Sequence, residues 1–197
     1  MRTLLPSPST VAAEPPDLAA HYAYPAALTA PCVRVNFVSS ADGAVTVDGR
    51  SGGLGSAADR EVFGLLRELA EVVLVGAGTV RAEDYRGARR PTRGRATPPP
   101  IAVVTGSGDL DPSARLLTDT QVPPIVLTGP RAPGERRAAL AAAGADVVVL
   151  DPLSPAAVVG ELGRRGLLRV LCEGGPRLFG DLVAADLVDE LCLTVAP

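Results

Sequence analysis

The sequence predicts an α/β fold in which a mostly parallel sheet carries helices on both faces. Three observations lead there. Beyond residue 100, short apolar runs (Ile101–Val104, Ile125–Thr128, Val147–Leu150, Leu168–Cys172) alternate with segments of helical periodicity. The helices are punctuated at their ends: Pro133–Ala143 closes at Gly144, Pro155–Arg165 at Gly166, and Pro176 opens Pro176–Ala184. Finally, the runs at 72–75, 101–104 and 168–172 each end in a turn of small residues. Strands joined by right-handed helical crossovers run parallel. All three turns then share the carboxyl edge of the sheet, where open α/β folds bind ligands.

Each element can be justified in chain order. Residues 1–30 are rich in Pro and Ala and read as an arm lying on the domain, with Tyr22 and Tyr24 packing down as amphipathic anchors. Val33–Val38 alternates as a first strand with Asn36 on one face; Ser39–Gly43 turns, Ala44–Val47 is extended, and Asp48-Gly49 is a turn pair. Ser51–Gly55 is a glycine-rich loop. Ser56 then caps a helix whose stripe is Val62, Leu65, Leu66 and Leu69, with Asp59 in the first turn. Arg60 and Arg67 lie seven apart, two turns up roughly the same face. Val72–Val75 is a buried strand, followed by the turn Gly76-Ala77-Gly78-Thr79 and a short helix from Val80. Residues 81–100 are arginine- and proline-rich surface loop. The last strand, Asp189–Val195, needs a neighbour on its outer edge, either a missing partner strand or a dimer contact.

Composition narrows the chemistry. A length of 197 residues, 47% hydrophobic and of net charge −3, suits one soluble globular domain and argues against a nucleic-acid partner. No apolar run approaches the ~18–20 residues that cross a membrane, and the proline-broken start argues against a secretory signal. Three cysteines, odd in number and far apart, read as reduced thiols of a cytoplasmic protein. All 19 basic residues are arginine, which removes Schiff-base, pyridoxal and P-loop lysine chemistry together. The single histidine, His21, rules out histidine triads and multi-histidine metal sites, so no metal is expected.

The turn Glu173-Gly174-Gly175 before Pro176 is the strongest ligand signal. Paired glycines admit a ligand to the backbone, and the free N–H groups of the following helix favour an anion. With the turns at 76–79 and 105–108 it suggests a long phosphate-bearing ligand. The Rossmann fingerprint is absent, because position 81 is arginine where its third glycine would stand. Thr105, Gly106 and Ser107 close the next strand where an NAD enzyme places an acid, so the ligand reads as NADP(H), although Asp109 stands close by.

Four segments, Arg34–Gly43, Gly76–Asp84, Glu173–Pro176 and Val188–Leu191, resemble the reductase domain of riboflavin biosynthesis, a family with the dihydrofolate reductase fold. The resemblance covers about 32–197. It implies a reductase domain at 31–197, a three-layer fold with the final C-terminal strand antiparallel, and a C-terminal hairpin that is expected to be missing here. It also implies NADPH-dependent reduction of a ribosylamino-pyrimidine 5′-phosphate by a homodimeric enzyme. Gly76, Ala77, Gly78, Thr79 and Glu173, Gly174, Gly175 would grip the pyrophosphate region, and Thr105, Gly106, Ser107 the 2′-phosphate. Asp42 is the first candidate for relaying the proton and Glu83 the second. Asn36, Ser39, Ser56 and Asp84 are expected at the substrate, with Arg60, Arg67 and Arg86 as candidates for its phosphate. The alternatives are a dihydrofolate or pterin reductase on the same fold, and a non-catalytic NADPH-binding or scaffold protein.

Overall fold

The computed structural model describes residues 17–197. The part of the arm expected at 1–16 lies outside them. The strands are β1 (Cys32–Ser40), β2 (Val72–Gly76), β3 (Ile101–Thr105), β4 (Ile125–Thr128), β5 (Asp146–Val149), β6 (Arg169–Cys172) and β7 (Glu190–Ala196). The helices are α1 (Leu18–His21), α2 (Ala57–Leu69), α3 (Ala77–Ala82), α4 (Arg115–Thr118), α5 (Gly134–Ala142), α6 (Pro155–Arg164) and α7 (Pro176–Ala184). The strands form one sheet in the order β5-β4-β3-β2-β6-β1-β7, and every pair in it is parallel.

That result corrects the expectation of an antiparallel final strand. β7 runs beside β1 in parallel from Arg34↔Glu190 to Ser40↔Ala196. The cause is the α7 crossover, which returns the chain to the edge of the sheet where β6 began. Two smaller expectations also change. Ala44–Val47 is not a strand: Val47 makes an isolated bridge to Arg50 around Asp48-Gly49, both at positive φ as a two-residue hairpin turn requires. The segment 76–79 is the opening of α3, with Gly76 as its cap. The short helix α4 inside the loop after β3 has too little periodic sequence to be read.

Alternate residues of each strand supply two cores. Val73, Val75, Ile101, Val103, Val126 and Leu171 pack on one face against α2, α3 and α5. Val72, Leu74, Leu127, Val170 and Cys172 pack on the other against α6 and α7. This split follows from handedness. The chain steps outward through β2, β3, β4 and β5 with its helices on one face, then reverses, and the reversal moves α6 and α7 to the opposite face. Within α7, Gly180 is exposed, and a methyl added there would meet nothing within 4 Å. Gly180→Ala is therefore expected to raise stability by roughly 0.5–1 kcal/mol in urea unfolding, because alanine loses less backbone entropy in a helix.

The arm is tied down by its tyrosines. Tyr24 is buried and its hydroxyl donates to the Val170 carbonyl at 3.0 Å. Arg34 stacks on its ring at 4.1 Å, donates to the Tyr22 carbonyl, and pairs with Glu190 on β7. At the amino edge of the sheet, Glu71 accepts the Leu168 and Arg169 amides at 2.8 and 3.0 Å and pairs with Arg169 and Arg95. Burial pushes its carboxyl up, but the two amides and two guanidiniums outweigh this and hold it below the ordinary 4.5. A depressed folded pKa stabilises above the unfolded value and is lost as pH falls through the folded one. Glu71→Gln should cost about 2 kcal/mol at neutral pH. The gap between variant and parent should close as urea titrations move well below pH ~4.5.

Candidate active site

β2, β6 and β1 are neighbours, yet the helices that follow them leave in different directions: α3 and α2 on one face, α7 on the other. Helices diverging from adjacent parallel strands leave a crevice at the carboxyl ends. A cleft of about 840 Å³ occupies that place. Its floor holds Asn36 from β1 and Glu173 and Gly175 after β6. The loop 45–55 walls one side, Arg60, Phe63 and Arg67 of α2 another, and the segment 78–86 a third.

The rim between β2 and β6 is backbone against backbone. The Gly76 amide donates to the Gly174 carbonyl at 2.8 Å, and the Gly174–Gly175 peptide is cis. Gly174 sits at φ +100, and a methyl at Gly175 would stand 2.7 Å from the Thr79 hydroxyl. No side chain caps α7, whose N-cap is Gly175, so its first amides are free for an anion.

Beneath the rim lies an ion pair. Arg67 donates both Nε and Nη2 to the Glu173 carboxylate, at 2.7 and 2.6 Å, and the Tyr85 hydroxyl donates to Oε2 at 2.8 Å. The Glu173 side chain is 1% exposed, and the guanidinium lies over the Phe63 ring at 4.6 Å. Burial opposes the Arg67 charge, but the Glu173 carboxylate more than offsets it and its pKa is raised. Burial, then the Glu173 charge, pushes the Tyr85 phenol well up, so it stays protonated and donates.

Residues 31–197 match the family of the RibD C-terminal domain. The chain belongs to that family. It is 31% identical over 171 residues to the 2,5-diamino-6-ribosylamino-4(3H)-pyrimidinone 5′-phosphate reductase of Aquifex aeolicus, covering 78% of this chain and 73% of that one. It is 33% identical to the chloroplastic riboflavin biosynthesis protein PYRR of Arabidopsis thaliana over 67% of this chain, and spans 22% of that protein's length. Among solved structures, a pyrimidine reductase-like protein from Corynebacterium diphtheriae superposes with a TM-score of 0.73 at 28% identity, covering 85% of this chain and 75% of the other.

Against this RibD-type domain the expected site residues divide. Asn36, Arg60, Arg67, Gly78, Thr79, Glu83, Asp84, Arg86, Glu173 and Gly175 all line the cleft, and Gly76, Ala77 and Gly174 form the rim behind it. Arg67 and Glu173, expected at two different phosphates, instead neutralise each other, because α2 lies directly over the β6 turn. Asp84 pairs with Arg115 at 2.9 Å. Glu83 accepts the Ser51 amide at 2.6 Å, and Arg60 donates to the Gly55 carbonyl at 2.9 Å.

Six expected residues, Ser39, Asp42, Ser56, Thr105, Gly106 and Ser107, lie away from the cleft lining. Asp42 is an exposed turn residue; the Ser40 hydroxyl, then the Ala44 amide, hold its carboxyl below the ordinary range. The ordinary role of an Asp-Gly turn accounts for its contacts. Ser39 donates to the neighbouring Ser40 carbonyl, and Ser56 is the cap of α2, accepting the Asp59 amide at 3.1 Å. Thr105 is buried and its hydroxyl accepts the Gly108 amide, so only Gly106 and Ser107 of that turn face outward. Sequence reasoning missed Tyr85 and Phe63 as partners of the buried pair. It also missed Arg115, Arg81 and Arg136, whose distant partners leave no local signal.

Proposed function

We propose that this chain is an NADPH-dependent reductase of a ribosylamino-pyrimidine 5′-phosphate in riboflavin biosynthesis. The observation that carries the proposal is one cleft with two chemically distinct ends. At the β2–β6 end, glycine backbone and the free amides of α7 suit a pyrophosphate, and any side chain at 175 would intrude on the space. At the α2 and loop end, Arg60, Arg86 and Arg115 gather at the lining, and Arg86 pairs with no acid among the described residues. That end suits a phosphorylated substrate.

One strand further, the Gly106–Ser107 turn is flanked by Arg81, which donates to the Asp109 carbonyl at 2.6 Å, and by Arg136, which donates to the Ser107 carbonyl at 3.3 Å. Arg81 and Arg136 bring two guanidiniums to the turn, with Asp109 and Glu135 beside them, and a guanidinium suits a 2′-phosphate. When bound, NADPH would supply a hydride to the ribosyl carbon in its open-chain imine form, the C=N double bond becoming a single bond as the nitrogen takes a proton. The protein's share is position and field: Asn36 offers an amide to the pyrimidine edge, and the cleft arginines hold the phosphate. The acids of the cleft are engaged, Asp59 by Thr194, Asp84 by Arg115 and Glu83 by Ser51, so solvent delivers the proton.

The reading includes a homodimer in a reducing compartment. β7 is an edge strand that exposes Leu191, Leu193 and Val195 on one face, and all three cysteines are free. Among the described residues no helix is long and apolar enough to cross a membrane. The test follows NADPH and NADH oxidation by absorbance, with the ribosylamino-pyrimidine phosphate and with dihydrofolate. Turnover of the first substrate with NADPH preferred is expected. Turnover of dihydrofolate alone would transfer the assignment to a pterin, and cofactor binding without oxidation would make the protein a non-catalytic binder.

A further inference from the structure

We propose that Glu83 is a positioning residue, the latch that holds the loop between β1 and α2 against the cofactor side of the cleft. The loop is otherwise self-contained. Its contacts are internal: the Asp48-Gly49 turn, the paired bonds between Val47 and Arg50, the Leu54 amide on the Ser51 carbonyl, and Val47 packed on Gly53. Among the described residues, one hydrogen bond leaves the stretch 45–54, from the Ser51 amide to Glu83 Oε1 at 2.6 Å. Val45, Thr46, Gly49, Ser51 and Gly52 from that stretch line the cleft, so this bond sets where one of its walls stands.

The other end of the latch is the cofactor turn. Glu83 is the C-cap of α3, and its own amide donates to the Thr79 carbonyl at 2.9 Å. Gly78 and Thr79 line the cleft beside Gly175. One residue thus joins the turn assigned to the cofactor to the wall assigned to the substrate. The latch rests on the proposed reading for its effect on catalysis, but the bond itself does not. α3 holds Glu83, and Glu83 holds the loop over the pyrimidine.

Two variants break the bond from opposite sides. Glu83→Ala removes the acceptor. Ser51→Pro removes the donor and leaves the carboxylate in place; Arg50 is already extended, as a residue before proline must be, and position 51 opens a 3₁₀ turn. Hydrogen exchange of the Val47, Arg50 and Leu54 amides should quicken about ten- to a hundredfold in both, the range for a lost charge-assisted bond. The double variant should add nothing further. In turnover, the pyrimidine KM should rise by a similar factor in both, with NADPH affinity unchanged. Unchanged exchange in both variants overturns the latch, and so does loss of kcat in Glu83→Ala with Ser51→Pro unaffected, which would make Glu83 a proton donor. Quickened exchange in a protein that reduces no pyrimidine supports the latch and overturns the reductase reading instead.

Discussion

Arg67→Met is expected to destabilise the protein by about 3–5 kcal/mol, the cost of leaving a buried carboxylate without its cation. Glu173 cannot escape to water, since its side chain is 1% exposed and sits beneath the rim. The remaining Tyr85 hydroxyl supplies one hydrogen bond where three stood. The damage should reach the ligand too, because Glu173 directly precedes Gly174 and its amide is bonded to the Leu74 carbonyl of β2. NADPH affinity is therefore expected to fall along with stability. Adding Glu173→Gln to Arg67→Met discharges the orphaned group, so the double variant should be more stable than Arg67→Met alone. Urea unfolding of both single variants and the double variant checks this. Simple addition of the two single costs would show that the pair is not coupled.

Gly174→Ala is expected to abolish measurable cofactor binding and to cost roughly 2–4 kcal/mol of stability. Two independent penalties act at this position. The backbone stands at φ +100, which an L side chain rarely adopts, and a methyl would stand 3.0 Å from the Phe37 ring. That ring is held by Phe179 of α7, 5.1 Å between centroids, so it cannot simply swing aside. Backbone relaxation would break the Gly76–Gly174 bond and move the free amides of α7. Cofactor titration by fluorescence and thermal unfolding read the two effects separately. Tight binding by a folded Gly174→Ala variant would remove the turn from the cofactor site.

The central expectation, that the turns after 72–75, 101–104 and 168–172 share one rim, is met by the pairing of β2 with both β3 and β6 in parallel. It is legible because strand direction follows from crossover handedness, a rule that needs only the order of elements. The expected roles of individual acids and arginines fare differently. In sequence Arg67 reads as a free phosphate ligand, and Glu173 as part of an anion turn, because their partnership spans 106 residues. Asp42 carries the weight of a motif, yet its local turn contacts hold it outside the cleft lining.

By itself the sequence determined most of the strands, the longer helices and the edge of the sheet where the turns assigned to the ligand gather. Periodicity, proline at helix starts and glycine past helix ends act over a few residues, so they survive without knowledge of the fold. Only the tertiary structure decided which charged side chains neutralise one another, which carboxylates face the cleft, and that β7 lies parallel to β1. Those outcomes depend on which elements meet across the sheet, and packing between distant segments leaves no periodic trace in the chain.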